Sequence, residues 1–122
     1  MNIKHFRNVF MIDELPTKPN DCESGIVNLD TSDHAGTHWI CYFKKGNQKF
    51  VFDSFGGDVP EKLVNYLGAS NLFYNAERIQ MFDEYICGHL CVLVLKLFSN
   101  LGSPNPANFN EIIDLINGHI WK

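Results

Sequence analysis

A chain of 122 residues, 45% hydrophobic and holding Phe 10 and Trp 2, has apolar material for one packed core and no length to spare, so residues 1–122 read as a single domain. Its formal charge of -4 supplies no general attraction for nucleic acid. No segment has the order of a signal peptide or the roughly 20 apolar residues that cross a bilayer, and Cys22, Cys41, Cys87 and Cys91 form no disulfide framework, so the expectation is an intracellular protein, in cytoplasm or nucleus, with reduced thiols and no membrane partner.

In chain order, Pro16 to Glu23, with Pro16, Pro19, Asn20 and Asp21, reads as a flexible connection. Gly25 to Leu29 suits a short strand, followed by an Asp33-His34-Ala35-Gly36 loop. Thr37 to Lys44, rich in Trp, Ile, Tyr and Phe, predicts a strong strand. Gln48 to Asp53 predicts another, with Gly46-Asn47 as the hairpin turn between them. Lys44, Lys45 and Lys49 make a small basic cluster at this hairpin and are expected to be solvated. If Gly46 and Asn47 are the two loop residues, Lys45 faces Gln48, Phe43 faces Phe50 and Ile40 faces Asp53. His38, two residues beyond Ile40, then points to the face of Asp53. Diagonal neighbours on one face of an antiparallel pair lie about 7–8 Å apart, within reach of longer side chains.

Asp58 is placed to cap a helix, with Pro60 near its start, Glu61 three residues after the cap and Gly68 at its end. Leu72 to Ile79 reads as extended. From Cys87 to about Asn100 the chain is apolar on nearly every side, which predicts a central buried helix opened by Cys87. Gly102 to Ala107 reads as a connection, after which Asn108 with Glu111 is expected to cap a final helix whose Ile112, Ile113, Leu115 and Ile116 pack inward.

His38-Trp39, Asp53, Gln80 and Cys87-Gly88 supply the groups that thiol-based peptide hydrolysis uses. A thiol attacks only as thiolate, and a free cysteine with a pKa of about 8.5 is mostly protonated at neutral pH, so an imidazole must take its proton. His38 is the candidate. An imidazole needs a partner that fixes its tautomer and orientation, and Asp53 fits that role. The oxyanion of a tetrahedral intermediate requires preorganised donors, for which the Gln80 amide and the Cys87 backbone N–H are the candidates. A helix N-terminus carries partial positive charge and unpaired N–H groups, which favour both a thiolate and an oxyanion. That singles out Cys87 among the four thiols. Cys91 reads as a packed thiol and His34 has no role. His89 with Cys87 and Cys91 lacks the second spaced pair of a zinc site, so no metal and no cofactor are expected. Trp39 reads equally as core or as a wall for substrate.

Ile26-Val27-Asn28 leading to Gly36-Thr37-His38-Trp39, then Phe52-Asp53-Ser54-Phe55-Gly56, Gln80 and Cys87-Gly88-His89-Leu90-Cys91, together resemble the adenovirus-type cysteine proteases, the adenain family, with relatives encoded by Polinton or Maverick elements and other DNA viruses. The resemblance runs from about Phe10 to Phe98, and SUMO-specific proteases share the same order. It implies an α+β, adenain-like fold in which a central mixed or antiparallel sheet packs against a buried helix bearing the nucleophile. It assigns His38 as base, Asp53 to the acidic position, Gln80 as oxyanion donor and Cys87 as nucleophile, with Trp39 and Gly88 in the substrate groove. It further implies cleavage after glycine in a protein or polyprotein substrate, in a host cell or a virion. The adenovirus enzyme is activated by a peptide disulfide-linked to a cysteine between the acidic residue and the glutamine. This sequence has no cysteine between Asp53 and Gln80, so that mode is not expected, and activation by another peptide stays open. Two other readings stand beside this one: a protease that removes ubiquitin-like modifiers, and an inactive protease fold kept as a binding or structural module. The intact set of His38, Asp53, Gln80 and Cys87 argues against the last.

Overall fold

The computed structural model describes residues 3, 5–29, 38–75, 87–100 and 105–120, the side chains of Cys87 and of residues 117–120 excepted. Within them the strands Phe6–Met11 (β1), Cys22–Asn28 (β2), Trp39–Lys45 (β3), Gln48–Phe52 (β4) and Leu72–Tyr74 (β5) form one sheet in sequence order. β1 is parallel to β2 and β5 to β4, while β2, β3 and β4 are antiparallel neighbours. The helices are Glu61–Leu67 (α1), Cys87–Ser99 (α2) and Pro106–Ile120 (α3). The fold is α+β around a mixed sheet.

Successive side chains of a strand point to opposite faces, and the central strands bury both. Cys41, Phe43, Phe50 and Phe52 meet Leu90, Val94, Leu95 and Phe98 of α2 and Phe109, Ile112 and Ile116 of α3. Ile40, Tyr42 and Val51 meet Leu63, Tyr66 and Leu67 of α1 on the other side. The sheet is therefore the middle of three layers. Stacked rings of Phe43 and Phe98, with centroids 5.2 Å apart, tie α2 to β3, and burying such a side chain contributes roughly 1.5–3 kcal/mol.

The hairpin register is Lys45 to Gln48, Phe43 to Phe50 and Cys41 to Phe52, and Gly46 supplies the left-handed backbone of the turn with φ +58. β3 starts at Trp39 and β4 ends at Phe52, so His38 and Asp53 flank the paired segment at the same end of the sheet.

Several local expectations are corrected. Asp58 does not cap α1: Pro60 stands before the helix with φ -56 and ψ 140, and no side chain caps this end. The extended ψ of Pro60 delays the helical turn to Glu61, whereas Gly68 ends the helix as expected, with φ +90. α3 is capped by Asn105, not Asn108, since Asn105 Oδ1 accepts the Asn108 N–H at 2.9 Å, and Pro106 takes the first helical position that its fixed φ suits. Leu115 is 59% exposed because the buried stripe is Phe109, Ile112 and Ile116. Lys44 and Lys49 are buried, not solvated. Their stems cover the sheet while the Lys44 ammonium reaches Asp21 O at 3.2 Å and that of Lys49 reaches Ser70 O at 2.7 Å. Burial, and then the charge of Lys44, hold Lys49 below the usual lysine range.

β1 has no counterpart among the sequence expectations, and the Pro16 to Glu23 stretch is anchored at its end. Glu23, 1% exposed, accepts from Arg7 Nη1 at 2.9 Å, the Asn20 N–H at 2.5 Å, Tyr66 Oη at 2.8 Å and Tyr42 Oη. One carboxylate thereby joins β1, the loop, β2, β3 and α1. Gly25 makes room for it, because a Cβ there would sit 2.7 Å from the Tyr42 ring.

Candidate active site

The two hairpin ends carry the first pair of functional groups. His38 and Asp53 are 9% and 7% exposed, and His38 Nε2 lies 2.6 Å from Asp53 Oδ1. The same Oδ1 accepts the Phe55 N–H at 2.8 Å. The chain turns there, with the Gly56 N–H donating to Asp53 O at 2.9 Å and Gly56 at φ +67, a conformation that glycine adopts without a steric penalty. Asn75, immediately after β5, brackets the Asp53 peptide. Its Oδ1 accepts the Asp53 N–H at 2.9 Å and its Nδ2 donates to Asp53 O at 2.6 Å.

Burial pushes the Asp53 carboxyl up, but hydrogen bonds from His38, the Phe55 N–H and the Gly57 N–H, with the charge of His38, outweigh it and hold the group below its usual range. At neutral pH the carboxylate is an acceptor only, so Nε2 must carry the proton it donates. Nδ1 of the neutral ring is then the acceptor, and it is buried with no hydrogen-bond partner among the described residues. The Phe55 ring lies flat on the imidazole, centroids 3.9 Å apart and 6° from parallel.

Trp39 carries the connection from this pair to α2. It is half-buried and packs against the core that α2 helps to form. Gly88 lies against it, a Cβ at Gly88 falling 3.7 Å from Trp39 Cδ1, and Cys91 Sγ donates to Trp39 O at 3.5 Å. The first turn of α2, which Cys87 opens, therefore rests on the residue next to His38, which brings the positive end of the helix dipole there. The Cys91 thiol is pushed up by burial, then by the adjoining Cys41 and by the charge of Asp53. It is a packed thiol, fully buried.

Of the residues singled out in the sequence, the fold brings His38, Asp53, Trp39 and Gly88 to one end of the sheet and puts the Cys87 backbone at the head of α2. Gln80, His34 and the Cys87 side chain lie outside the described residues. Sequence reasoning passed over Phe55 and Asn75. Phe55 sits inside a motif already quoted, with no role assigned to it there, whereas a lone asparagine after an edge strand carries no local signal. Among the described residues no group of three His, Cys, Asp or Glu could hold a metal ion, and no helix is long and apolar enough to cross a membrane.

No described protein family and no curated protein matches the sequence. Solved structures do match. The selenomethionine form of the ASFV pS273R protease is 16% identical with a TM-score of 0.52, covering 86% of this chain and 46% of that one. A second crystal structure of the ASFV pS273R protease is 15% identical with a TM-score of 0.50, covering 86% and 45%. At this identity the likeness shows a shared fold, that of a viral cysteine protease, and this chain spans less than half the length of the protein it matches.

Proposed function

We propose that the chain is a cysteine endopeptidase of the adenain type, cleaving after glycine in a protein substrate such as a viral or mobile-element polyprotein, inside a host cell or virion. One observation carries this reading: His38 is held through Nε2 by an ionised Asp53 while its buried Nδ1 has no partner among the described residues, beside the Trp39 on which the helix opened by Cys87 rests. The shared fold with a viral cysteine protease supports it.

In this mechanism His38 Nδ1 takes the Cys87 proton and Asp53 stabilises the imidazolium that results. The thiolate attacks the substrate carbonyl carbon, and the oxyanion is held by the Cys87 N–H and the Gln80 amide, a donor of a kind worth about 10²–10³ in kcat. His38 returns its proton to the leaving amine, the C–N bond breaks and a thioester remains. Water, deprotonated by His38, then releases the acid and restores the thiol. The glycine preference rests on the resemblance, in which a narrow groove runs beside the tryptophan after the histidine, here Trp39.

The test is turnover of glycine-containing peptides by wild type and Cys87→Ala, with a peptide-glycine electrophile mapped by mass spectrometry. The expected result is loss of turnover in the variant and a single adduct at Cys87, whereas equal turnover in both proteins sinks the mechanism. Labelling only by a ubiquitin-like modifier carrying a C-terminal electrophile moves the assignment to deconjugation, and no selective labelling moves it to a binding module.

A further inference from the structure

Hydrogen bonding alone leaves the base under-determined. His38 is held at Nε2 by Asp53, and its other nitrogen has no partner among the described residues. One hydrogen bond fixes a point, and the terminal torsion of a histidine is broad, so a ring pinned at a single atom can pivot and swing Nδ1 out of line. The Phe55 ring, 3.9 Å away and 6° from parallel, removes that freedom by defining a plane. Phe55 also reaches the other partner, its N–H donating to the carboxylate oxygen that His38 binds. Its backbone orients the acid and its side chain orients the base.

We infer that Phe55 is a positioning residue, whose ring holds the His38 imidazole in the plane that aims Nδ1 at the reacting thiol. The inference rests on the protease reading for its kinetic consequence only. The turn explains why the residue can serve both partners: the chain reverses between Asp53 O and the Gly56 N–H, 2.9 Å apart, with Phe55 inside the turn, its N–H on Asp53 Oδ1 and its ring over the imidazole. Phe55→Ala keeps the backbone N–H and removes the ring, so it separates the two contributions. Phe55→Tyr keeps the stacked ring.

The experiment has two arms. In the first, kcat and KM are measured with a glycine-containing peptide. Phe55→Ala is expected to lose about 10- to 100-fold in kcat, the scale of a misdirected catalytic group, with KM changed less than about twofold and with kcat restored by Phe55→Tyr. A rise in KM at unchanged kcat overturns the inference and makes the ring a wall for substrate, and wild-type kcat in Phe55→Ala overturns it outright. In the second arm, proton–nitrogen NMR of the His38 ring is recorded without substrate. Wild type and Phe55→Tyr are expected to give one sharp ring pattern and Phe55→Ala a broadened or doubled one, while identical spectra in all three refute the positioning role. Should wild type hydrolyse nothing, the protease reading fails and the ring spectrum alone decides the role of Phe55.

Discussion

Two buried carboxylates face opposite fates in this molecule. Glu23 is surrounded by donors, namely Arg7, the Asn20 N–H, Tyr42 and Tyr66, and the donors are in turn engaged, Arg7 Nη1 reaching Lys18 O at 3.1 Å and Tyr66 Oη at 2.9 Å. Burial and the contact with Glu23 push the Tyr66 hydroxyl up to about 12 and that of Tyr42 further, so both stay protonated as donors. Asp53 is similarly tethered, but its principal partner is a ring whose second nitrogen has no hydrogen-bond partner among the described residues. A carboxylate whose partners are all donors holds structure. A cluster with one basic atom in reserve can accept a proton.

The largest expected effects set the two clusters against each other. His38→Ala should lower peptide hydrolysis by about 10³-fold or more, at a stability cost of about 1–3 kcal/mol because Asp53 loses one buried donor but keeps the Phe55 N–H. Glu23→Ala should spare the turnover of the folded fraction and cost about 2–6 kcal/mol in urea denaturation, because two buried hydroxyls lose their acceptor at about 1–3 kcal/mol each. A Glu23→Ala protein that is fully stable, or a His38→Ala protein that unfolds, breaks the contrast.

A smaller effect follows from pH. The Glu23 carboxyl, which burial would push up, is held below its usual range by Tyr42, the Asn20 N–H, Tyr66 and Arg7, and Asp53 is held low as well. Groups lowered on folding contribute fully above the unfolded-state carboxylate values of about 4 and lose that contribution as pH falls through their folded values. Stability should thus be flat down to about pH 5 and decline below about pH 4, with Glu23→Gln showing a shallower decline. Stability that rises on acidification contradicts this. The smallest effect concerns thiols. Cys91, 0% exposed and pushed up by burial, should resist alkylation in native protein near neutral pH and react fully in urea, by mass spectrometry.

The hairpin was readable because its information is local. Gly46-Asn47 fixes the register, and the register alone puts His38 and Asp53 on one face. The helix starts were less readable, since whether Asp58 or Asn105 caps depends on the backbone of the adjacent prolines, Pro60 and Pro106. The Glu23 cluster was invisible for a different reason: Arg7 and Tyr66 lie 16 and 43 residues from Glu23 in the chain, and no periodicity connects them. Asn75 belongs with it, binding Asp53 across 22 residues.

The hairpin also orders events in time. His38 and Asp53 are 15 residues apart across a two-residue turn, a closure that costs little entropy and that hairpins complete in about 1–10 μs. The helix that Cys87 opens is encoded after β5, and at about 5–20 residues per second it leaves the ribosome seconds later. His38 and Asp53 can pair on a nascent chain that still lacks Cys87, so on the proposed mechanism the reactive combination comes into being only when α2 docks on a finished sheet.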